Sequence, residues 1–208
     1  MRFIKMLGLT AIAAIAAMAL FGASSASAIS LCQKSAEALP EACEEAYPLG
    51  TTITTQLLAG SIAKLKAEPI GTVECKKSSV TGKTTEEKEE SLLGKIETVS
   101  FTECFLGATK CTVTVEGLPY TAHLKLGPTG GYHLIVLNGK AKVVCGLVLS
   151  CTFGAPEILL KLLDPTPWRL QVAQELNREG GTLCPSTSFW EATYEVTAPT
   201  PLAGVAMK

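Results

Sequence analysis

The sequence predicts a mainly β protein, an antiparallel β-sandwich or barrel of about ten short strands with four disulfides. Apolar and polar residues alternate along most runs after residue 50, as they do in antiparallel strands with one buried side. Breakers rich in Gly and Pro separate these runs at short intervals, which is typical of both folds. The chain has eight cysteines, and an even number in an exported chain predicts that all of them are paired.

Residues 1–28 have the three parts of a secretory signal peptide. Arg2 and Lys5 form a positive leader, residues 6–21 are an uncharged apolar run, and Ala26-Ser27-Ala28 has the small-residue form that signal peptidase cleaves. The apolar run is shorter than the roughly 20 residues that span a bilayer. We therefore predict cleavage between Ala28 and Ile29, a secreted protein, and no membrane span once the signal is removed.

The net charge of the chain without its leader argues against some classes of binding partner. Without the leader, 180 residues remain, with 16 basic against 19 acidic side chains and a net charge of −3. Nucleic acids and anionic lipids attract clustered Lys and Arg rather than a mildly acidic chain. We predict one domain of ordinary size, no nucleic-acid partner, and an extracellular or envelope ligand that the sequence does not identify.

Residues 29–50 form an N-terminal segment with helical features. Pro40 precedes residues 41–46, which contain three glutamates. Proline suits the first helical position, and acidic residues favour the positive end of the helix dipole. Pro48 and Gly50 would end such a helix. The sequence thus predicts a short helical segment here, followed by a single β domain over residues 51–208.

Strands follow in order along this domain. Residues 157–163 could be helical on their leucines alone, but prolines on both sides and the short length favour a buried strand. Asn138-Gly139 predicts a two-residue hairpin turn, because a type I′ turn needs positive φ at both centres. The predicted strands are 51–58, 72–76, 96–104, 111–116, 119–126, 132–137, 140–145, 150–153, 157–163, 168–172 and 190–197.

Locality in the sequence suggests a disulfide framework. Cys104–Cys111 and Cys145–Cys151 would each bracket a short turn between strands, and Cys32–Cys43 would close the N-terminal segment. Cys75 and Cys184 are then left for each other. Eight cysteines allow 105 connectivities, so this framework is a hypothesis. Cysteine pairs with the spacing of a zinc site do not occur, and neither histidine lies near a cysteine pair.

Motifs for catalysis are weak. His123 and His133 lack a surrounding serine or acid pattern, so no catalytic, metal-binding or cofactor-binding residue is predicted. Gly82-Lys83-Thr84 resembles the end of a phosphate-binding loop, but Lys77 stands where that motif needs glycine, and a turn is predicted instead. Residues 84–91 are a charge run without the spacing of a calcium loop, which predicts a solvated hairpin loop or flap.

Four aromatic residues could form a sugar-binding platform: Trp168, Trp190, Tyr132 and Tyr194. Trp190 and Tyr194 share the apolar face of one predicted strand, however, which favours packing in the core. Trp168 follows a proline and precedes an arginine, and we predict that it is partly exposed.

Several phrases between residues 72 and 202 resemble exported, disulfide-containing β proteins of high-GC bacteria. The resemblance implies the fold and the export, and it implies no activity. It rests on Thr72-Val73-Glu74-Cys75, Phe101-Thr102-Glu103-Cys104, Leu118-Pro119-Tyr120, Gly180-Gly181-Thr182-Leu183-Cys184-Pro185 and Trp190-Glu191-Ala192-Thr193-Tyr194.

Three function classes stay open on the sequence. The first is a non-enzymatic exported domain with a binding or cell-surface structural role. The second is a secreted hydrolase that acts through carboxylates. The third is a secreted inhibitor that presents a disulfide-rigidified loop such as residues 107–110. An enzyme should have a deep pocket with at least two acidic or histidine side chains, whereas a binding or structural domain should not.

Overall fold

The computed structural model describes residues 28–35, 43–128, 130–163 and 168–207. The predicted signal peptide, apart from Ala28, lies outside the described residues, as do residues 36–42 with Pro40. Within the described ranges no helix could span a membrane.

Thirteen strands make up this part of the chain. They are β1 (Ile29–Ser35), β2 (Cys43–Ala46), β3 (Thr52–Leu57), β4 (Ala63–Ala67), β5 (Gly71–Lys88), β6 (Ser91–Leu106), β7 (Thr109–Glu116), β8 (Tyr120–Leu126), β9 (Tyr132–Cys145), β10 (Leu149–Leu163), β11 (Arg169–Gly180), β12 (Thr187–Ala198) and β13 (Gly204–Met207).

Ten of these strands close into an antiparallel barrel with eight positions in its wall, which decides between barrel and sandwich. β5, β6, β9, β10, β11 and β12 each fill one position. β7 and β8 share the position between β6 and β9 end to end, and β3 and β4 share the position between β12 and β5. Closure pairs every wall strand on both sides and leaves no open edge.

A second, three-stranded sheet covers one end of the barrel. β1 lies between β13 and β2, and we call these three strands the cap. Ile29 and Leu31 of β1 pack with Val205 of β13 against Leu92 and Leu124 of the barrel. The covered end, where β5 turns into β6 at residues 89–90, is the capped end.

The predicted N-terminal helix is wrong where the chain is described, because residues 43–46 form strand β2. Pairing with β1 lets Cys43 reach Cys32 and leaves Glu44 and Glu45 exposed to water. These tertiary contacts outweigh the local preference of a proline and acidic residues for a helix start.

Three disulfides lie at the opposite, cross-linked end of the barrel: Cys75–Cys104, Cys111–Cys145 and Cys151–Cys184. The prediction of four disulfides is confirmed, and so is the pair Cys32–Cys43. The predicted pairs Cys104–Cys111, Cys145–Cys151 and Cys75–Cys184 are wrong.

Strand register explains the observed pairs. Four cysteines form one row across β5, β6, β7 and β9, in the order Cys75, Cys104, Cys111 and Cys145. Cys75 bonds Cys104 at one end of this row and Cys111 bonds Cys145 at the other, so all four cysteines are paired. The register of β9 with β10 sets Cys145 opposite Leu149 rather than Cys151, so that pair is offset by two residues.

The observed strands also test three predictions about turns and loops in the β domain. Asn138-Gly139 is not a hairpin turn but lies inside strand β9, with positive φ at Asn138 only (55°). Asn138 lies where β9 changes its wall partner from β8 to β7. Residues 84–88 belong to strand β5, and only Glu89-Glu90 forms the predicted hairpin turn. The strand at 157–163 is confirmed as part of β10, although its outward residues, such as Leu159, are exposed.

Candidate binding cavity inside the barrel

The interior of the barrel contains a cavity of about 200 Å³. Eight strands give an interior just wide enough to be filled by side chains or to hold one small ligand. Alternation along each strand turns one residue in two towards this interior. The cavity therefore exists because some of the inward positions carry small residues.

Small inward residues leave the space. Ala63, Gly82, Gly94 and Ala122 all line the cavity. The two glycines also let β5 and β6 approach closely, because a Cβ at Gly82 would lie 2.6 Å from the carbonyl oxygen of Lys95 and one at Gly94 would lie 2.8 Å from that of Lys83. Gly82-Lys83-Thr84 is thus part of a strand in the cavity wall, and the predicted turn there is wrong.

The lining is apolar from one end of the barrel to the other. At the capped end it includes Leu31 of the cap together with Ile53, Leu92 and Leu124. Towards the cross-linked end it includes Val73, Phe101 and Trp190, and the last two rings meet edge to face with centroids 6.3 Å apart. Four lysines also border the cavity, and none of them is buried: Lys64, Lys83, Lys95 and Lys140. The Nζ of Lys83 pairs with Glu97 at 3.0 Å and that of Lys64 with Glu74 at 3.7 Å.

The aromatic residues follow the sequence prediction. Tyr194 is buried and Trp190 packs against the main core. Trp168 is half-buried, and its Nε1 donates a hydrogen bond to the carbonyl of Leu202 at 2.9 Å. Tyr120, the first residue of β8, is buried, and its hydroxyl accepts a hydrogen bond from the backbone N–H of Lys140 at 3.1 Å. This contact ties β8 to β9 beside the junction with β7.

Two hydroxyl groups inside the barrel differ in their partners. The Tyr194 hydroxyl lies 3.1 Å from Ser78 Oγ in a buried pair. Thr84 is 5% exposed and borders the cavity, yet its Oγ1 forms no hydrogen bond with any described residue. Most buried hydroxyl groups in proteins have a partner, so Thr84 is unusual.

Burial raises the pKa of Tyr194 to about 12, while its bond with Ser78 acts in the opposite direction. The neutral form is therefore favoured in the fold, and the stability it provides is present below pH 10 and falls as pH rises from about 10 to 12. We expect one of the four tyrosines to ionise only near pH 12 when tyrosinate absorbance is recorded. Tyr194→Phe should remove this last step. Complete ionisation by pH 11 in the parent protein would contradict the assignment.

His123 and His133 lie on the outer face of the wall, away from the cavity. In β8 the inward residues are Tyr120, Ala122 and Leu124, so His123 points outwards, and Lys125 lies opposite His133 on β9. Burial lowers the pKa of His123, and the charge of Lys125 adds to the effect. The described residues contain no group of three or more His, Cys, Asp or Glu side chains that could hold a metal ion.

Comparison of the chain with protein-family models, curated proteins and solved structures finds no match. The resemblance to exported proteins of high-GC bacteria therefore stays a prediction.

Proposed function

We propose that this protein is an exported, non-enzymatic binding protein that holds one small apolar molecule inside its barrel. The observation that carries the proposal is the apolar cavity of about 200 Å³. A cavity of about 150 Å³ lined by Leu, Ile and Phe stays dry and binds benzene, whereas drug-sized ligands need about 300–1,000 Å³. The cavity therefore suits a molecule of about six to eight non-hydrogen atoms.

The chemistry of the wall favours binding over hydrolysis. No Asp, Glu or His of the described residues borders the cavity. Hydrolysis by paired carboxylates, or by a base and a nucleophile, needs such groups next to the substrate. The wall supplies shape and apolar contact instead.

Export is the second part of the proposal. The four disulfides are consistent with an extracytoplasmic protein, because disulfides persist in oxidising compartments whereas the cytosol keeps cysteines reduced. The sequence of residues 1–28 supports secretion through a cleaved signal peptide. N-terminal sequencing of the protein recovered from the medium should start at Ile29.

Binding is tested with n-hexane and benzene on the purified protein, using headspace gas chromatography to measure free ligand. We expect saturable binding of one molecule per chain and a melting temperature that rises with ligand concentration. Uptake that never saturates, or no uptake at all, would overturn the proposed function.

A filled cavity should not bind. Ala122 is 2% exposed and borders the cavity, so Ala122→Leu places three more carbon atoms in the space. We expect hexane affinity to fall at least tenfold. The change in melting temperature should be small, because the added atoms enter existing space rather than a packed core. Thr121→Leu is the matched control, since Thr121 is the exposed neighbour on the other face of β8. Equal loss of affinity in both variants would exclude the cavity as the binding site.

A further inference from the structure

Thr84 gives the cavity one polar point at its capped end. The backbone of Thr84 is held by the segment that precedes β3, because its N–H donates to the carbonyl of Thr51 at 3.1 Å and its carbonyl accepts from the N–H of Gly50 at 2.9 Å. Only the side-chain oxygen is left without a partner among the described residues. The hydroxyl can donate one hydrogen bond and accept others. A fixed, buried hydroxyl that borders an apolar cavity is an arrangement that can orient a ligand.

The other buried polar groups limit the charge of that ligand. All buried polar side chains in the described ranges are hydroxyls: Ser30, Thr55, Ser78, Thr84, Ser91 and Ser188. An ionised amine in the cavity would meet no carboxylate, because no Asp or Glu of the described residues borders it. An ionised carboxylate would meet no buried cation, because the four lysines that border the cavity are half-buried or exposed. Either ion would lose its hydration there, which is strongly unfavourable. A neutral group that exchanges one hydrogen bond with a hydroxyl has no such cost.

We propose that the ligand is a short neutral amphiphile, a chain of about six carbons that ends in an alcohol. Its hydroxyl binds Thr84 Oγ1 beneath the cap, and its chain lies along the apolar wall. This assignment rests on the proposed binding function and adds the chemical class of the ligand and its orientation.

The test compares three probes of equal chain length: n-hexane, 1-hexanol and hexanoate at pH 7. Thr84→Val replaces the hydroxyl by a methyl group of similar size, and Thr84→Ser keeps the hydroxyl. Thr85→Val is the matched control, because Thr85 is the exposed next residue of β5. The ratio of hexanol to hexane affinity, compared between proteins, cancels the different solubilities of the two probes in water.

We expect this ratio to fall about five- to tenfold in Thr84→Val, the size of effect that one neutral hydrogen bond gives. It should stay unchanged in Thr84→Ser and Thr85→Val. Hexanoate should bind at least a hundredfold more weakly than hexanol to the parent protein. Circular dichroism and the melting temperature of Thr84→Val establish that the variant is folded.

The possible failures separate the two proposals. If neither hexane nor hexanol binds, the proposed function is wrong and the ligand class falls with it. If both bind and the ratio is the same in Thr84→Val and the parent protein, the cavity binds ligands but Thr84 does not orient them. Hexanoate affinity equal to that of hexanol would overturn the requirement for a neutral group.

Discussion

Replacing Cys75 and Cys104 together by alanine should lower the melting temperature by about 7–14 °C. Their bond spans 29 residues, and the loop-closure model assigns about 3.6 kcal/mol to a bridge of that length. For a domain of this size, each kcal/mol shifts the melting temperature by about 2–4 °C. Differential scanning calorimetry of the oxidised proteins measures the shift.

The matched control is the pair Cys32→Ala and Cys43→Ala. This bond spans only 11 residues and joins β1 to β2 within the cap. Its loss should loosen the cap locally and leave the main melting transition of the barrel within about 3 °C of the parent value. Equal shifts in both double variants would mean that cap and barrel unfold as one unit.

The single substitution Cys75→Ala should rearrange the row of cysteines. It frees Cys104, which lies directly opposite Cys111 in the register of β6 and β7. The Cys104 thiolate can attack the Cys111 sulfur, forming Cys104–Cys111 and releasing Cys145 as a thiolate. Peptide mapping of alkylated protein should find that new bond. A Cys111–Cys145 bond that stays intact at pH 8 would contradict the exchange.

The same row explains how far the sequence could predict the covalent framework. Alternation and breakers predict where most strands lie, because those signals are local. Which cysteines bond depends instead on the register of β5, β6, β7 and β9, whose cysteines are up to 70 positions apart in the chain. Cys104 and Cys111 are indeed neighbours, as locality suggests, but each has a second neighbour on the other side.

Strand β4 and the strand conformation at Asn138 were harder to predict from the sequence, for another reason. Ala63, Leu65 and Ala67 alternate with two lysines, but the run is short and its apolar residues are mostly small. Asn138-Gly139 has the composition of a hairpin turn, yet the ladder of β9 with β10 continues past it, with Gly139 opposite Ala155. Long-range pairing in a closed wall overrides a local turn preference.

The sequence contains only a weak signal of the cavity. Its lining consists of the same inward-facing residues that any barrel core would use, and no motif marks it. The usable signal is the size of certain inward residues, notably Gly82, Gly94 and Ala122. Small residues at inward positions of a predicted barrel indicate space inside, but only once closure of the barrel is known.

Ligand exchange should occur at the capped end. The cross-linked end carries three disulfides, whereas the bond in the cap joins two strands of the cap to each other. Apolar packing and a hydrogen bond from Ser30 Oγ to Glu87 Oε1 of 3.0 Å hold the cap on the barrel. Leu31 of the cap borders the cavity, so moving the cap opens it.

A disulfide between cap and barrel should therefore trap the ligand. The side chains of Ser30 and Glu87 join cap and barrel through a hydrogen bond of 3.0 Å, so these two positions are the ones to cross-link. In the double variant Ser30→Cys and Glu87→Cys, we expect hexane release to slow by roughly 30- to 1,000-fold, because a bridge adds about 2–4 kcal/mol to opening. The affinity for hexane should change little, since the cavity itself is the same.

The control variant, Ser30→Ala with Glu87→Ala, removes the hydrogen bond between cap and barrel and should speed hexane release. Stopped-flow fluorescence of Trp190, which borders the cavity, measures the rates. Unchanged release from the cross-linked protein would place the route of exchange through the wall instead of the cap.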